Sequence, residues 1–189
     1  MMRARAAWLA ACALVMALGL LLPPAAAAAS PSSPSPPSAA TPLKTIVLLD
    51  FELIDTGLDH ASDAAQRERL QMISRTLREE FAERHLYKVL DSQPAAALIS
   101  DLGGRFKLYD CNGCDVDIGK ALGADRTLTG WVQKVSNLIL NINIQIRDVR
   151  SGEIVLARSV DIRGNTDASW LRGVRYLARG MEEAHQGNR

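Results

Sequence analysis

Between Leu138 and Ile146 the chain alternates without a slip. Leu138, Leu140, Ile142, Ile144 and Ile146 take one side, and Ile139, Asn141, Asn143 and Gln145 take the other. Successive side chains of a β-strand point to opposite faces, so this is a strand with one apolar face and one amide-rich face. Such a strand belongs to an antiparallel sheet that rests on a core on one side and is open on the other. The whole fold is constrained by it, because helices are called for on one sheet face only. The neighbouring segments extend the sheet. Arg126–Lys134 reads as a strand, Ser136 and Asn137 as a turn, Asp148–Gly152 as a hairpin turn and Glu153–Ile162 as the returning strand.

Upstream, Lys44–Phe51 (KTIVLLDF) is a continuous apolar run that suits a buried strand. A polar loop with Asp55, Gly57 and Asp59 follows, and Ser62 or Asp63 caps a helix running to about Arg84. Leu70, Ile73, Leu77 and Phe81 fall at spacings of three and four and form its apolar stripe. Tyr87–Leu90 is a short strand, Pro94 opens a short helix through Ile99, and Gly103 and Gly104 make a turn. A helix from about Asp115 to Leu122 ends at Gly123. Asp167 or Ser169 opens the last helix, with Trp170, Leu171, Val174 and Leu177 facing the sheet. The order is β-α-β-α-α-β-β-β-α. The expected fold is α/β: a two-layer sandwich, with a mixed, mostly antiparallel sheet and helices on one face.

The first 29 residues carry a different signal. Arg3 and Arg5 precede an apolar run from Ala6 to Leu22, and small residues follow up to Ala29. That is the pattern of a secretory signal peptide, cut near Ala29 and Ser30. Leu9–Cys12 has the letters of a lipobox, but most of the apolar run follows Cys12, so no lipid or membrane anchor is expected. Residues 30–42 are rich in Pro, Ser and Ala and read as a disordered linker. A single domain is expected over 43–185. The whole chain has 22 Lys and Arg against 21 Asp and Glu, and the leader removes two of the arginines. That balance lacks the concentrated basic surface that nucleic-acid binding requires. Export makes the periplasm the expected location.

Cys111-Asn112-Gly113-Cys114 is the one constellation with chemical capacity. Outside the cytosol two cysteines three apart should oxidise. Three readings stand at this point: a structural disulfide fixing a helix start, a thiol–disulfide exchange site, and half of a metal site. Metal would need two more ligands, and His60, His85 and His185 are scattered. No hydrolase, haem or nucleotide motif is present, so no metal, cofactor or catalytic residue is expected. Asn141, Asn143, Gln145 and Arg147 line the open side of the long strand. Uncharged amides lose less on desolvation than charges do, which suits a docking face. Trp131 is a candidate aromatic anchor for the same face.

The order of these motifs resembles a known family. KTIVLLDF, the following helix and KVLD resemble the start of the amino-terminal domain of TolB. So do Cys114–Asp125 (CDVDIGKALGAD), Thr129–Val132 and the Asp148-x-x-Ser151-Gly152-Glu153-Ile154-Val155 hairpin, which are also similar to CsgG-like periplasmic domains. The likeness spans about Lys44 to Ile162. It implies an α/β domain of the Gram-negative envelope that works by docking to other proteins. The tail Asp161–Trp170 resembles a narrower family of exported proteins of unknown function. No β-propeller repeat or pore-forming hairpin accompanies these motifs, so the TolB and CsgG roles themselves are not implied.

The expected function is therefore a periplasmic, non-enzymatic interaction module with an envelope protein as partner, docking through the open sheet face or an edge. Two alternatives come from other classes. One is a redox protein using Cys111 and Cys114. The other is a small-ligand binder in a cleft beside Asp50 and the Asp55–His60 loop.

Overall fold

The computed structural model describes residues 42–55 and 63–186. The expected signal peptide, the expected linker up to residue 41 and residues 56–62 lie outside the described residues. So do Ser62 as a helix cap and most of the loop proposed to flank a ligand cleft.

The strands are β1 (Thr45–Leu48), β2 (Glu52–Asp55), β3 (Lys88–Val89), β4 (Arg126–Lys134), β5 (Ile139–Asp148) and β6 (Ile154–Arg163). The helices are α1 (Asp63–Glu83), α2 (Ala96–Arg105), α3 (Cys114–Ala121) and α4 (Asp167–Gln186). The sheet runs β3-β1-β4-β5-β6, and β2 pairs with the same flank of β4 as β1. The β1–β3, β1–β4 and β2–β4 ladders are parallel, whereas the longer β4–β5 and β5–β6 ladders are antiparallel. The mixed α/β class and the mixed sheet expected from the sequence form, but the helices are not confined to one face as expected.

The alternating strand behaves as its pattern requires. Leu140, Ile142, Ile144 and Ile146 are almost wholly buried under α1 and α4, while Asn141, Asn143 and Gln145 stay half-exposed on the other face. Ile73, Leu77 and Phe81 of α1 and Trp170, Val174, Leu177 and Met181 of α4 complete this core. Leu138 is the exception at 72% exposure, because it belongs to the turn rather than the strand. Thr166 caps α4 reciprocally: its Oγ1 accepts from the Ser169 N–H, and Ser169 Oγ accepts from the Thr166 N–H.

The run KTIVLLDF does not form one strand. Leu48 pairs with Leu128 and Glu52 with Trp131, so three residues of one strand oppose two of the other. This bulge shifts the alternation by one residue. Phe51 and Leu53 thereby stay on the core side used by Ile46 and Leu48, and Asp50 is turned out. Helix α1 satisfies the groups the bulge releases. The Phe51 N–H donates to Ser74 Oγ (2.9 Å), and Arg78 Nη2 donates to the Leu48 carbonyl (2.9 Å) and to Asp50 Oδ1 (2.7 Å). The Phe51 ring lies where Gly130 has no side chain; a Cβ there would sit 2.5 Å from its Cε1.

The second sheet face is covered at one end. Val47 and Leu49 project away from the main core into a smaller cluster with Leu108, Cys114, Ile118 and Val149. Helices α2 and α3 therefore cover the β1 end of the face that is open further along. The signal lay in the run itself, since a strand apolar at every position is buried on both sides. Gly103 and Gly104, expected as a turn, lie inside α2, which the packing of Leu98, Ile99 and Leu102 extends to Arg105. Among the described residues no helix is long and apolar enough to cross a membrane.

Candidate functional site

The open face is built on β2, β4, β5 and β6. Register places Trp131 opposite Asn143, Gln133 opposite Asn141, and Thr127 opposite Arg147. Across β6, Asn143 faces Ser159 and Asn141 faces Asp161. The sheet thus brings Trp131, Asn141, Asn143, Gln145 and Arg147 onto one surface, but they are not equally free.

Arg147 is tied down at the covered end. Its Nε donates to Asp115 Oδ2 at 3.2 Å and its Nη1 to the Gly152 carbonyl at 2.9 Å. Asp115 is 4% exposed and also accepts from Thr127 Oγ1 at 3.1 Å. Arg147 thus holds α3 to the sheet and closes the β5–β6 hairpin. Asp115 turns to these partners on the sheet. Asn141 is partly engaged too, its Nδ2 donating to Asp161 Oδ1 at 2.7 Å.

Trp131 is half-buried and stacked by Tyr109, with ring centroids 5.3 Å apart and planes at 27°. Tyr109 comes from the connection between α2 and α3, which folds over β2. The Tyr109 N–H donates to Glu52 Oε2 at 2.9 Å. Burial pushes the Glu52 carboxyl up, against the pull of that N–H and of Lys107. Tyr109 and Glu52 escaped the sequence reading. Tyr109 lies in an aperiodic connection, and Glu52 belongs to a strand visible only once the bulge is known.

Cys111 and Cys114 are joined as a disulfide, with Cα atoms 5.5 Å apart. Cys114 is the first residue of α3 and is 5% exposed within the smaller cluster; Cys111 packs at its margin. His85 is exposed, with φ of 50°, at the end of α1. Asp50 is ion-paired with Arg78. Among the described residues, no three or more His, Cys, Asp and Glu converge as a metal site.

A model described as a protein of unknown function (DUF2380) matches residues 44–181, which takes in every described strand and all but the end of α4. The chain belongs to this family, DUF3280. No curated protein matches it. The DUF3280 fold is similar to that of lipoprotein GNA1162 from Neisseria meningitidis. The identity is 11% and the TM-score 0.50, over 76% of this chain and 99% of that one. The LpoB C-terminal domain from Salmonella enterica aligns at 16% identity and TM-score 0.47, over 66% of this chain and 86% of that one. TolB from Acinetobacter baumannii aligns at 11% identity and TM-score 0.37, over 73% of this chain and 28% of TolB. At such identities the likeness to GNA1162 bears on the fold alone.

Proposed function

We propose that this DUF3280 domain is a periplasmic, non-enzymatic interaction module that docks an envelope protein through its open sheet face or an adjoining edge. One observation carries the reading: the Trp131–Tyr109 pair stands beside the half-exposed amides of Asn143 and Gln145, on the part of the face that α2 and α3 leave uncovered among the described residues. Trp and Tyr are enriched at binding hot spots, and interface cores are depleted of most charged residues. Arg147 is not part of that surface in this proposal, because its hydrogen bonds are spent inside the domain. Export rests on the leader at residues 1–29.

The redox alternative would need an accessible sulfur, and Cys114, the cysteine at the helix start, is buried. The packing of both cysteines in an apolar cluster favours a structural role.

The test is a photo-crosslinking residue placed at Asn143 or, as control, at exposed Arg75 of α1, in intact cells. The Asn143 position should give a discrete adduct and the Arg75 position none. Trp131→Ala should abolish the adduct while the purified variant keeps its circular dichroism and cooperative unfolding. An adduct that survives Trp131→Ala sinks the docking-face reading.

A further inference from the structure

β6 is the outer strand of the sheet, ten residues long, with no strand on its far side among the described residues. Beside it runs one flank of α4. Arg172, Tyr176 and Arg179 recur there at spacings of four and three, so they share a helix face next to the core face of Val174 and Leu177. The space between strand and helix holds two hollows of about 420 and 270 Å³ that share Tyr176 and Arg179. Val160, Ile162 and Gly173 line the larger one. Gly173 brings the helix close: a Cβ there would lie 2.7 Å from Ile162 Cγ2 and 2.8 Å from Ile142 Cδ1. Arg158, from the strand, extends to within 3.4 Å of where a Gly180 Cβ would be.

The charge here is unbalanced. Arg175 pairs with Glu80, but Arg158, Arg163, Arg172 and Arg179 form no ion pair with any described residue. Asp161, which accepts from Asn141, and Glu183 are the carboxylates that line the hollows. Four uncompensated arginines on a chain of net charge +1 make a local basic edge. Tyr176 is 59% exposed among them.

We infer that the β6–α4 groove binds an acidic, extended polypeptide segment of a partner protein, which adds a strand to β6. Main-chain hydrogen bonds to the free edge supply affinity, and alternate side chains point toward α4. Acidic residues at every second position would meet Arg158, Arg172 and Arg179. A second copy of this chain is a poor occupant, since two-fold pairing of β6 with β6 would set these arginines against each other. The chain's own first 41 residues are also a poor occupant. They hold Arg3 and Arg5, no Asp or Glu, and many prolines, which lack the donor that edge pairing needs. The site extends the proposed function but does not depend on Trp131.

The probe is a fluorescein-labelled peptide of alternating Glu and Val, followed by anisotropy and by amide hydrogen exchange of residues 154–163. Binding should be saturable, and exchange in 154–163 should slow. Arg172→Glu with Arg179→Glu should weaken binding by at least about tenfold, as expected when attraction across an interface becomes repulsion. Arg158→Glu, on the strand, should weaken it in the same direction and covers the case in which the α4 pair perturbs folding. Trp131→Ala should bind the peptide normally, which separates this site from the docking face. The inference is overturned if the charge-reversed variants bind as tightly as the parent. It is equally overturned if a peptide with Pro for alternate Val, of equal charge but unable to pair, binds as well, or if 154–163 exchange at an unchanged rate in the complex.

Discussion

Asp115 and Arg147 make one point of attachment out of two segments 32 residues apart. The pair is largely shielded from water, with side-chain exposures of 4% and 19%, and Asp115 Oδ1 has no donor of its own. Arg147→Ala would leave a buried carboxylate without its countercharge. Breaking a buried pair in this way costs about 3 kcal/mol, far more than deleting an exposed docking residue. Urea unfolding should register that loss, and Asp115→Ala added to Arg147→Ala should recover part of it. Unchanged stability in the single variant would return Arg147 to the docking face. From the sequence, Arg147 looked like its neighbours Asn141, Asn143 and Gln145, because period-two alternation reports which face a residue occupies and not what lies over it. The partner that claims Arg147 sits on a helix whose position depends on packing between distant segments.

Helix α1 ends where its own chemistry is awkward. The Leu86 N–H bonds the Phe81 carbonyl at 3.1 Å and the His85 N–H the Ala82 carbonyl at 3.2 Å, with Phe81 and Leu86 both in the core. This is a Schellman ending, and its left-handed position, where glycine is favoured, is filled by His85. His85→Gly should relieve the strain and stabilise the domain by about 0.5–1 kcal/mol after the extra chain entropy of glycine is counted. A melting temperature higher by a few degrees is expected; a lower one would show that the histidine side chain has an unrecognised partner. Elements of this kind were the most legible ones. α1 and α4 follow from apolar spacing, and β4, β5 and the following hairpin follow from alternation and turn residues. β2 was hidden because KTIVLLDFELID reads as one run, and its division needs Phe51 to meet Gly130 and α1 to satisfy the released backbone. The amide side of β5 was legible from its alternation, but the register that sets Trp131 opposite Asn143 was not, and Tyr109 arrives from a connection that has no period to read.

Across the whole domain, two carboxylates link segments far apart in sequence. Asp125 accepts from the Thr45 N–H and Oγ1, both at 2.8 Å, across 80 residues. Those bonds, the backbone one first, hold its carboxyl below the usual range. The Ser151 N–H does the same for Asp148, aided by the Arg126 guanidinium and the Arg150 N–H. A depressed carboxyl stabilises the fold when ionised, so its contribution is complete above about pH 4 and is lost as pH falls through the lower, folded-state value. Asp125→Asn should therefore be less stable than the parent near neutrality, with the gap narrowing below about pH 4 in unfolding measured across pH. A gap that stays constant on acidification would mean that the carboxylate charge plays no part.

The place of β1 in the sheet has a consequence in time. It lies between β3 and β4, and its β4 partners come 80 residues later in the chain. At about 5–20 residues per second, a growing polypeptide takes roughly 4–16 s to make that interval. For those seconds the strand can meet only its early-made partners, α1 and β3, and the β4 side of Ile46, Val47 and Leu48 stays bare. Each newly made molecule passes through this interval once, whereas a finished one need not return to it. Changes in this stretch thus register first in how many molecules reach the folded state, before they register in how firmly those molecules hold together.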